Sequence, residues 1–256
     1  MNDLTQLKPK LAKLRMSGVL DNLDMRLAQA REEKLGYEEF LHILFQDELN
    51  RRNDKQLHLR LKRSELDVQK TIDAFDFNFN ASIHAPTIRE CLTLRFLENH
   101  ESIFLVGPSG VGKSHLAMAI GNAACRKGYD VYFRRTHTLL KWLHAGRADE
   151  TYDRRMAFIS DAQLLILDDF GLQEMNHTQQ SDLFDIISAR YEVTSTIITS
   201  NRDIPEWPAL FSNPLVGNAA IDRLVHRAIR IEIDGKSYRL ERFRDKNKLQ
   251  TAEVNV

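Results

Sequence analysis

Apolar positions change their period once along this chain. Up to about residue 63 they recur at three- and four-residue steps, with one proline, two glycines and almost no β-branched residues. Leu20, Leu23, Leu27 and Ala30 form one such row, and Gly36 after it predicts a helix stop. A second row starts near Tyr37, with Phe40, Leu41, Leu44, Phe45 and Leu49 on one stripe. The pattern predicts a small all-α unit. From residue 88 onward short β-type runs take over: IFLVG (103–107), VYFRR (131–135), LLILDD (164–169), TIITSN (196–201) and IRIEID (229–234). Helix-length segments separate most of them, which predicts an α/β domain with a mostly parallel five-stranded sheet covered on both faces.

The two regions are joined by TIDAFDFNFNASIHAPT (71–87), read as a linker in which Pro86 ends any regular element. Its alternating Phe75, Phe77 and Phe79 have two readings: they dock the linker onto the core, or they touch a bound base. The expected division is therefore 1–70 helical, 71–87 linker and 88–256 α/β.

Composition narrows the function classes. Lys+Arg and Asp+Glu are 36 each in 256 residues, so no net field draws the whole molecule to a polyanion, and such a partner must be met by local patches. Cys91 and Cys125 have no CxxC or Cys/His ligand spacing, and the nine histidines form no HExxH or paired tract. The chain start has no apolar signal core, and no run approaches the roughly 18 apolar residues that cross a bilayer. The expectation is a soluble, cytoplasmic protein without a zinc site or a membrane partner. The strongest local patch in the N-terminal half is RRNDKQLHLRLKR (51–63); across 51–70 seven Lys/Arg face three Asp/Glu. Arg51, Arg52, Arg60, Lys62 and Arg63 are either a solvated helix face or a phosphate-binding patch. Both readings stand.

Chemistry enters at Gly107-Pro108-Ser109-Gly110-Val111-Gly112-Lys113-Ser114, which matches GxxxxGK[ST] between a predicted strand and a predicted helix. Its glycines let backbone N–H groups close around phosphate oxygens at a helix N-terminus. Lys113 is expected to reach the β/γ-phosphates and Ser114 to ligate Mg2+. His115, the next residue, is counted with the cofactor-binding stretch. A Gly-rich turn with a surface lysine is a poor alternative, because three glycines, Lys and Ser all keep the spacing. Asp168 and Asp169 end LLILDD, 55 residues after Lys113. The first is the expected Mg2+ carboxylate, and the second the group that orients an attacking water. Asn201 ends the next strand at the same sheet edge, where an amide senses phosphate or positions water, or simply suits a strand-to-turn site.

A phosphate loop, an intervening strand, an acidic pair and a polar residue on the following strand resemble the AAA+ ATPases. NKxD is absent, since SNRD lacks the Lys, and so is LSGGQ, so ATP is the expected nucleotide. In that family an arginine from one subunit completes the site of the next. Arg223, 22 residues after Asn201, matches the position, with Arg227 in reserve. Either is otherwise an ordinary helix cation worth little. The leucine-rich N-terminal unit, FDFNFN, GPSGVGKSHLA, LLILDDFG, TSNR and IDRLVHRA together look like the IstB-like ATPases. These are transposition helpers of bacterial insertion sequences, similar to the DnaC-type helicase loaders.

The resemblance implies an ATP-dependent homo-oligomer on double-stranded DNA that recruits or stimulates a partner transposase. It also implies that the 28 residues 136–163, with Arg147, Arg154 and Arg155, face nucleic acid. From Arg223 to Lys248 nine Lys/Arg stand against four Asp/Glu, a further basic surface. No base-reading motif appears, so contact falls mainly on phosphates. Two departures bear on mechanism: Asp169 stands where many relatives carry Glu, and 22 residues after Asp234 are too few for the usual helical lid. A reduced or absent lid is therefore expected, and no residue is assigned as a second sensor arginine. A replicative helicase loader and a monomeric small-molecule kinase are the alternatives.

Overall fold

A computed structural model describes residues 3–80 and 82–244. The chain packs as two compact units, Met1–Leu59 and Arg60–Val256.

In the first unit, α1 (Asp3–Lys13), α2 (Ser17–Glu33) and the start of α3 (Tyr37–Ser64) enclose Leu11, Val19, Leu23 and Leu44. Gly18 permits the closest approach in it: a Cβ there would lie 2.7 Å from the Asp47 carbonyl oxygen and from Glu48 Cα. The Glu48 carboxylate uses that proximity to accept from the free N–H of Gly18 at 2.7 Å, and it also takes Arg52 Nε at 2.6 Å. The helix stop differs from the expected one. Lys34 takes the left-handed conformation (φ 51°) and its N–H bonds the Ala30 carbonyl, whereas Gly36 lends its carbonyl to Phe40 and so opens α3. The apolar stripe on α3 is also wider than the core row: Leu44 is buried, while Leu41, Phe45 and Leu49 are about half exposed.

The second unit contains α4 (Ala85–Leu92), α5 (Arg95–Glu98), β1 (Ser102–Val106), α6 (Lys113–Lys127), β2 (Val131–Arg135), α7 (Thr136–Ala145), α8 (Tyr152–Asp161), β3 (Leu164–Phe170), α9 (His177–Arg190), β4 (Ser195–Ser200), α10 (Pro214–Val225) and β5 (Ala228–Glu232). A short helix at 238–244 follows. Pro86 opens α4 rather than ending an element, because a residue without N–H costs nothing in a helix's first turn.

Among the described residues the strands form one parallel sheet in the order β2-β3-β4-β1-β5. The chain leaves β1 for the far edge through α6, then returns strand by strand and passes beyond β1 to β5. Strand order thus reverses at β1, and the crevice at the carboxyl ends of the strands opens there. The apolar runs account for the layers, since β1 and most of β3 are buried on both faces and carry Ile, Leu, Phe and Val without alternation, while buried β4 sets Ile197 and Ile198 between Ser and Thr. Helices α7, α9 and α10 bring Leu139, Leu143, Leu183, Ile186 and Leu224 into the main core with Trp207 and Phe170. No helix among the described residues is long and apolar enough to cross a membrane.

Arg190 pins this unit from inside. The residue is 3% exposed, and its guanidinium donates to Thr196 Oγ1 at 3.1 Å, to the carbonyls of Ile159 at 2.8 Å and Ala162 at 2.7 Å, and to that of Ser195. It joins the end of α8 to the start of β4. Burial without a carboxylate partner pushes its pKa down. Arg190→Ala leaves these carbonyls unpaired and is expected to lower the unfolding free energy by about 3–5 kcal/mol. Urea unfolding of the full chain measures this, and Arg190→Lys should fall between the two because an ammonium cannot span the same fork.

Candidate active site

The loop 107–112 leaves β1 at the strand-order reversal and ends at the first turn of α6. Gly107 (φ +150°) lies so close to the returning chain that a Cβ would sit 1.8 Å from the Ile233 carbonyl oxygen. Gly112 (φ +107°) caps α6 in a conformation that only glycine takes freely. Lys113 is 6% exposed, and its three ammonium protons go to the carbonyls of Gly107 and Pro108 and to Asn201 Oδ1, each at 2.7 Å. Burial lowers its pKa to about 8 against the pull of Asp169 and Asp168. Asn201, placed on the site edge by the sequence pattern, therefore touches the lysine directly.

Asp168, 4% exposed, ends the regular part of β3 and gathers three elements. Its Oδ1 accepts from Ser114 Oγ of α6 and from Thr199 Oγ1 of β4, both at 2.6 Å, while its carbonyl accepts from Thr136 Oγ1 of α7 at 3.1 Å. The pairing of β3 with β4 shifts register between Leu167 and Phe170, and at this irregularity Asp169 turns left-handed (φ +55°). The Asp169 amide donates to Thr199 Oγ1 at 3.1 Å, and its carboxylate lies 3.6 Å from Arg135 Nε. Burial raises the Asp169 pKa, the Asp168 charge adds to the rise, and Arg135, Lys113 and Arg239 oppose it.

A hydroxyl beside a carboxylate is an all-oxygen donor pair, and among the described residues no group of three or more His, Cys, Asp or Glu could cage a metal alone. That set suits Mg2+, which keeps water and phosphate oxygens in most of its shell.

The other expected residues go elsewhere. His115 directs Nε2 at the Thr71 carbonyl (2.8 Å) and packs edge-on to Phe75. The linker aromatics dock on the core: Phe75 covers Gly112, and Phe79 meets Tyr238 edge to face at 4.8 Å. Arg223 bonds the Ala219 carbonyl at 3.1 Å and lies over the Phe184 ring. It stands just before β5, whose first residue pairs with the first residue of β1, so Arg223 and Arg227 occupy the sheet edge opposite the phosphate loop. Arg147 is held in a fork by buried Asp182, and Arg155 is held by the Trp142 carbonyl and by Asp149. Arg51 pairs with Asp21 and Arg52 with Glu48, Arg60 is partly buried, and Arg154, Lys62 and Arg63 are exposed. Lys246 and Lys248 of the C-terminal basic run lie outside the described residues.

Sequence reasoning missed three contributors. Thr199 is two residues before Asn201 in the run TIITSN, whose expected period of two puts both on one side; that signal was available. The segment after Asp234, set aside as too short, folds back on the loop. Tyr238 N–H donates to the Gly110 carbonyl at 3.0 Å, and the Arg239 charge reaches Lys113 and Asp169. Its cue was Gly235, whose φ of +129° makes the return. Arg135 gave no cue beyond ending a strand.

Residues 9–247 match the model of the family described as IstB-like ATP binding protein. The chain belongs to that family. It is 41% identical over 235 residues to a Mycobacterium tuberculosis protein named for ATP binding in an insertion sequence, covering 91% of this chain and 93% of that one. An insertion sequence IS21 ATP-binding protein of Pseudomonas aeruginosa is 36% identical over 239 residues, 93% of this chain and 90% of that one. Among solved structures, the DnaC helicase loader is similar over 58% of this chain and 86% of its own length, with a TM-score of 0.51 and 26% identity. AMPPCP-bound DnaA of Aquifex aeolicus reaches a TM-score of 0.58 at 22% identity, over 72% of this chain and 56% of that one. The α/β unit of this IstB-like chain thus has the AAA+ fold.

Thr199→Val keeps the shape of the β4 side chain and removes both of its bonds at the acidic pair. The Mg2+ concentration for half-maximal ATP hydrolysis should rise about tenfold or more, and the unfolding temperature should fall because the Asp169 amide loses its buried partner, as titration of the steady-state rate and thermal unfolding would show.

Proposed function

We propose that this chain is a cytoplasmic ATPase switch of transposition. It binds ATP with Mg2+, assembles with copies of itself on double-stranded DNA, and in that state recruits and stimulates the transposase of its insertion sequence. The observation that carries this reading is the split of the machinery: Lys113, Ser114, Asp168, Asp169 and Asn201 meet at one sheet edge, and Arg223 stands at the other. A single copy cannot bring them together.

ATP supplies the terminal phosphoryl group that passes to water. The loop N–H groups and the α6 N-terminus receive phosphate oxygens. Lys113 exchanges its carbonyl partners for phosphate while Asn201 holds the ammonium in line. Ser114 and Asp168 would hold the cation, which would offset charge on the phosphates, and Thr199 fixes the Asp168 carboxylate. Asp169 orients the attacking water and takes its proton. Arg223 of a neighbouring copy offsets the charge on the transferring group.

Relatives named for insertion sequences support the transposition context. Exposed Arg154, Lys62 and Arg63, with no base-reading motif, support contact with phosphates, so DNA affinity should drop steeply with salt. The likeness to a helicase loader favours a second reading, in which the partner is a replicative helicase and the DNA single-stranded. Pulldown of helicase without transposase would choose it.

Arg223→Ala should keep ATP binding and lose about a thousandfold in DNA-dependent hydrolysis. Mixing it with Asp169→Asn, itself inactive, should restore turnover, because one mixed interface carries an intact pair. Loss of ATP binding by Arg223→Ala, or no recovery on mixing, would remove the trans assignment.

A further inference from the structure

Arg223 is held without being neutralised. Among the described residues it has no ion pair; its contacts are the Ala219 carbonyl of its own helix, which accepts from Nη1 at 3.1 Å, and the Phe184 ring, whose centre is 5.2 Å from the guanidinium carbon. Other arginines around α9 are already spent, Arg147 in the fork of Asp182 and Arg190 on buried carbonyls. Arg227, in the turn after α10, is exposed, and among the described residues no ring lies beneath its guanidinium. A carboxylate in the place of the ring would grip Arg223 more tightly, but it would cancel the charge and compete with phosphate for the same fork. An aromatic face attracts the cation through its quadrupole and takes none of its N–H groups. The ring therefore narrows the conformations of a long side chain while the charge stays available.

Both partners stand on anchored elements. Helix α9 begins at a capping box, in which Asn176 Oδ1 accepts from the Gln179 N–H at 2.9 Å and Gln179 Oε1 from the Asn176 N–H at 3.1 Å, and it ends at buried Arg190. Leu183, Ile186 and Ile187 of that helix are core residues, and Phe184 lies partly buried at their margin. Helix α10 is capped by Asn213, and a Cβ on its Gly217 would lie 2.6 Å from the Pro208 carbonyl oxygen, so it sits tightly on the chain before it. Its Ala220, Ile221 and Leu224 enter the same core. A ring carried on so fixed a frame can set the direction of the arginine beside it.

We propose that Phe184 is a positioning residue for the trans-acting arginine. Its ring holds the Arg223 guanidinium, charged and open, in the place from which it enters the site of a neighbouring copy. This rests on the proposed function, in which Arg223 serves a neighbour.

The test uses the full chain with Phe184→Leu and Phe184→Met, which keep apolar bulk without a ring face, and with Phe184→Tyr, which keeps the face. Steady-state kcat and KM for ATP are measured with saturating duplex DNA, ATP binding is measured without DNA, and thermal unfolding checks that each variant is folded. The two ring-free variants should lose about fivefold to thirtyfold in kcat, the scale of a cation–ring contact, with KM and ATP binding unchanged. Phe184→Tyr should stay near the parent. Once the arginine is gone the ring should cost nothing more, so Phe184→Leu combined with Arg223→Ala in one chain should be no slower than Arg223→Ala alone. Mixing Phe184→Leu with Asp169→Asn should restore turnover, since the Asp169→Asn copies supply well-held arginines, whereas mixing it with Arg223→Ala should not. Full activity of the ring-free variants, an equal loss in Phe184→Tyr, an additive loss in the combined variant, or recovery on mixing with Arg223→Ala would overturn the proposal. If Arg223→Ala recovers with Asp169→Asn and Phe184→Leu does not, the role of Phe184 alone is refuted. If Arg223→Ala itself fails to recover, the trans reading falls and this proposal with it.

Discussion

Everything at this site leans on one carboxylate oxygen. Asp168 Oδ1 accepts two hydroxyls at 2.6 Å, one from the helix that follows the phosphate loop and one from the neighbouring strand. With its carbonyl tied to Thr136, a single residue at the tip of β3 sets the spacing of α6, β4 and α7. In a buried setting such bonds are stiff, and an unpaired member would be costly. These oxygens are thus fixed in place by the protein's own bonds. Neighbouring Asp169 has no such support beyond its amide bond to Thr199 and a 3.6 Å approach to Arg135, so a rigid acid stands beside a looser one.

The phosphate loop is held from two directions. The linker sets Phe75 against Gly112, and the turn just before it lends carbonyls of Asp67 and Lys70 to Asn122 on α6. The returning chain sets Ile233 against Gly107 and Tyr238 against Gly110. Phe79 and Tyr238 then join the two wraps to each other. Segments distant in sequence therefore register what happens at the loop, and a change in loop shape on binding would be felt in both.

Much of this was legible in residues alone. Buried parallel strands read as unbroken apolar runs, and VYFRR at 131–135 coincides with β2. The loop, the acidic pair and Asn201 sit where spacing put them, since local turns and strand tips are fixed by neighbours in sequence. What stayed hidden depends on distant partners. Arg147 reads as a free cation until Asp182, 35 positions away, is found at its fork. Gly36 reads as a stop because nothing local shows that Lys34 takes the left-handed turn first. Pro86 reads as a breaker because its place in a helix's first turn depends on where the helix begins. Arg239 lay past an apparent end, and only the Gly235 return brings it back.

The opposite placement of Arg223 and the phosphate loop has a consequence for shape. If each copy donates at one sheet edge and receives at the other, contacts run head to tail and cannot satisfy both copies of a two-fold pair. Such a chain of subunits has a direction, imposed on whatever it winds around. Unless it closes on itself, one terminal copy always holds a site with no donor. Turnover per subunit then rises with the length of the assembly, and a lone copy keeps its nucleotide. The protein would count its neighbours through chemistry.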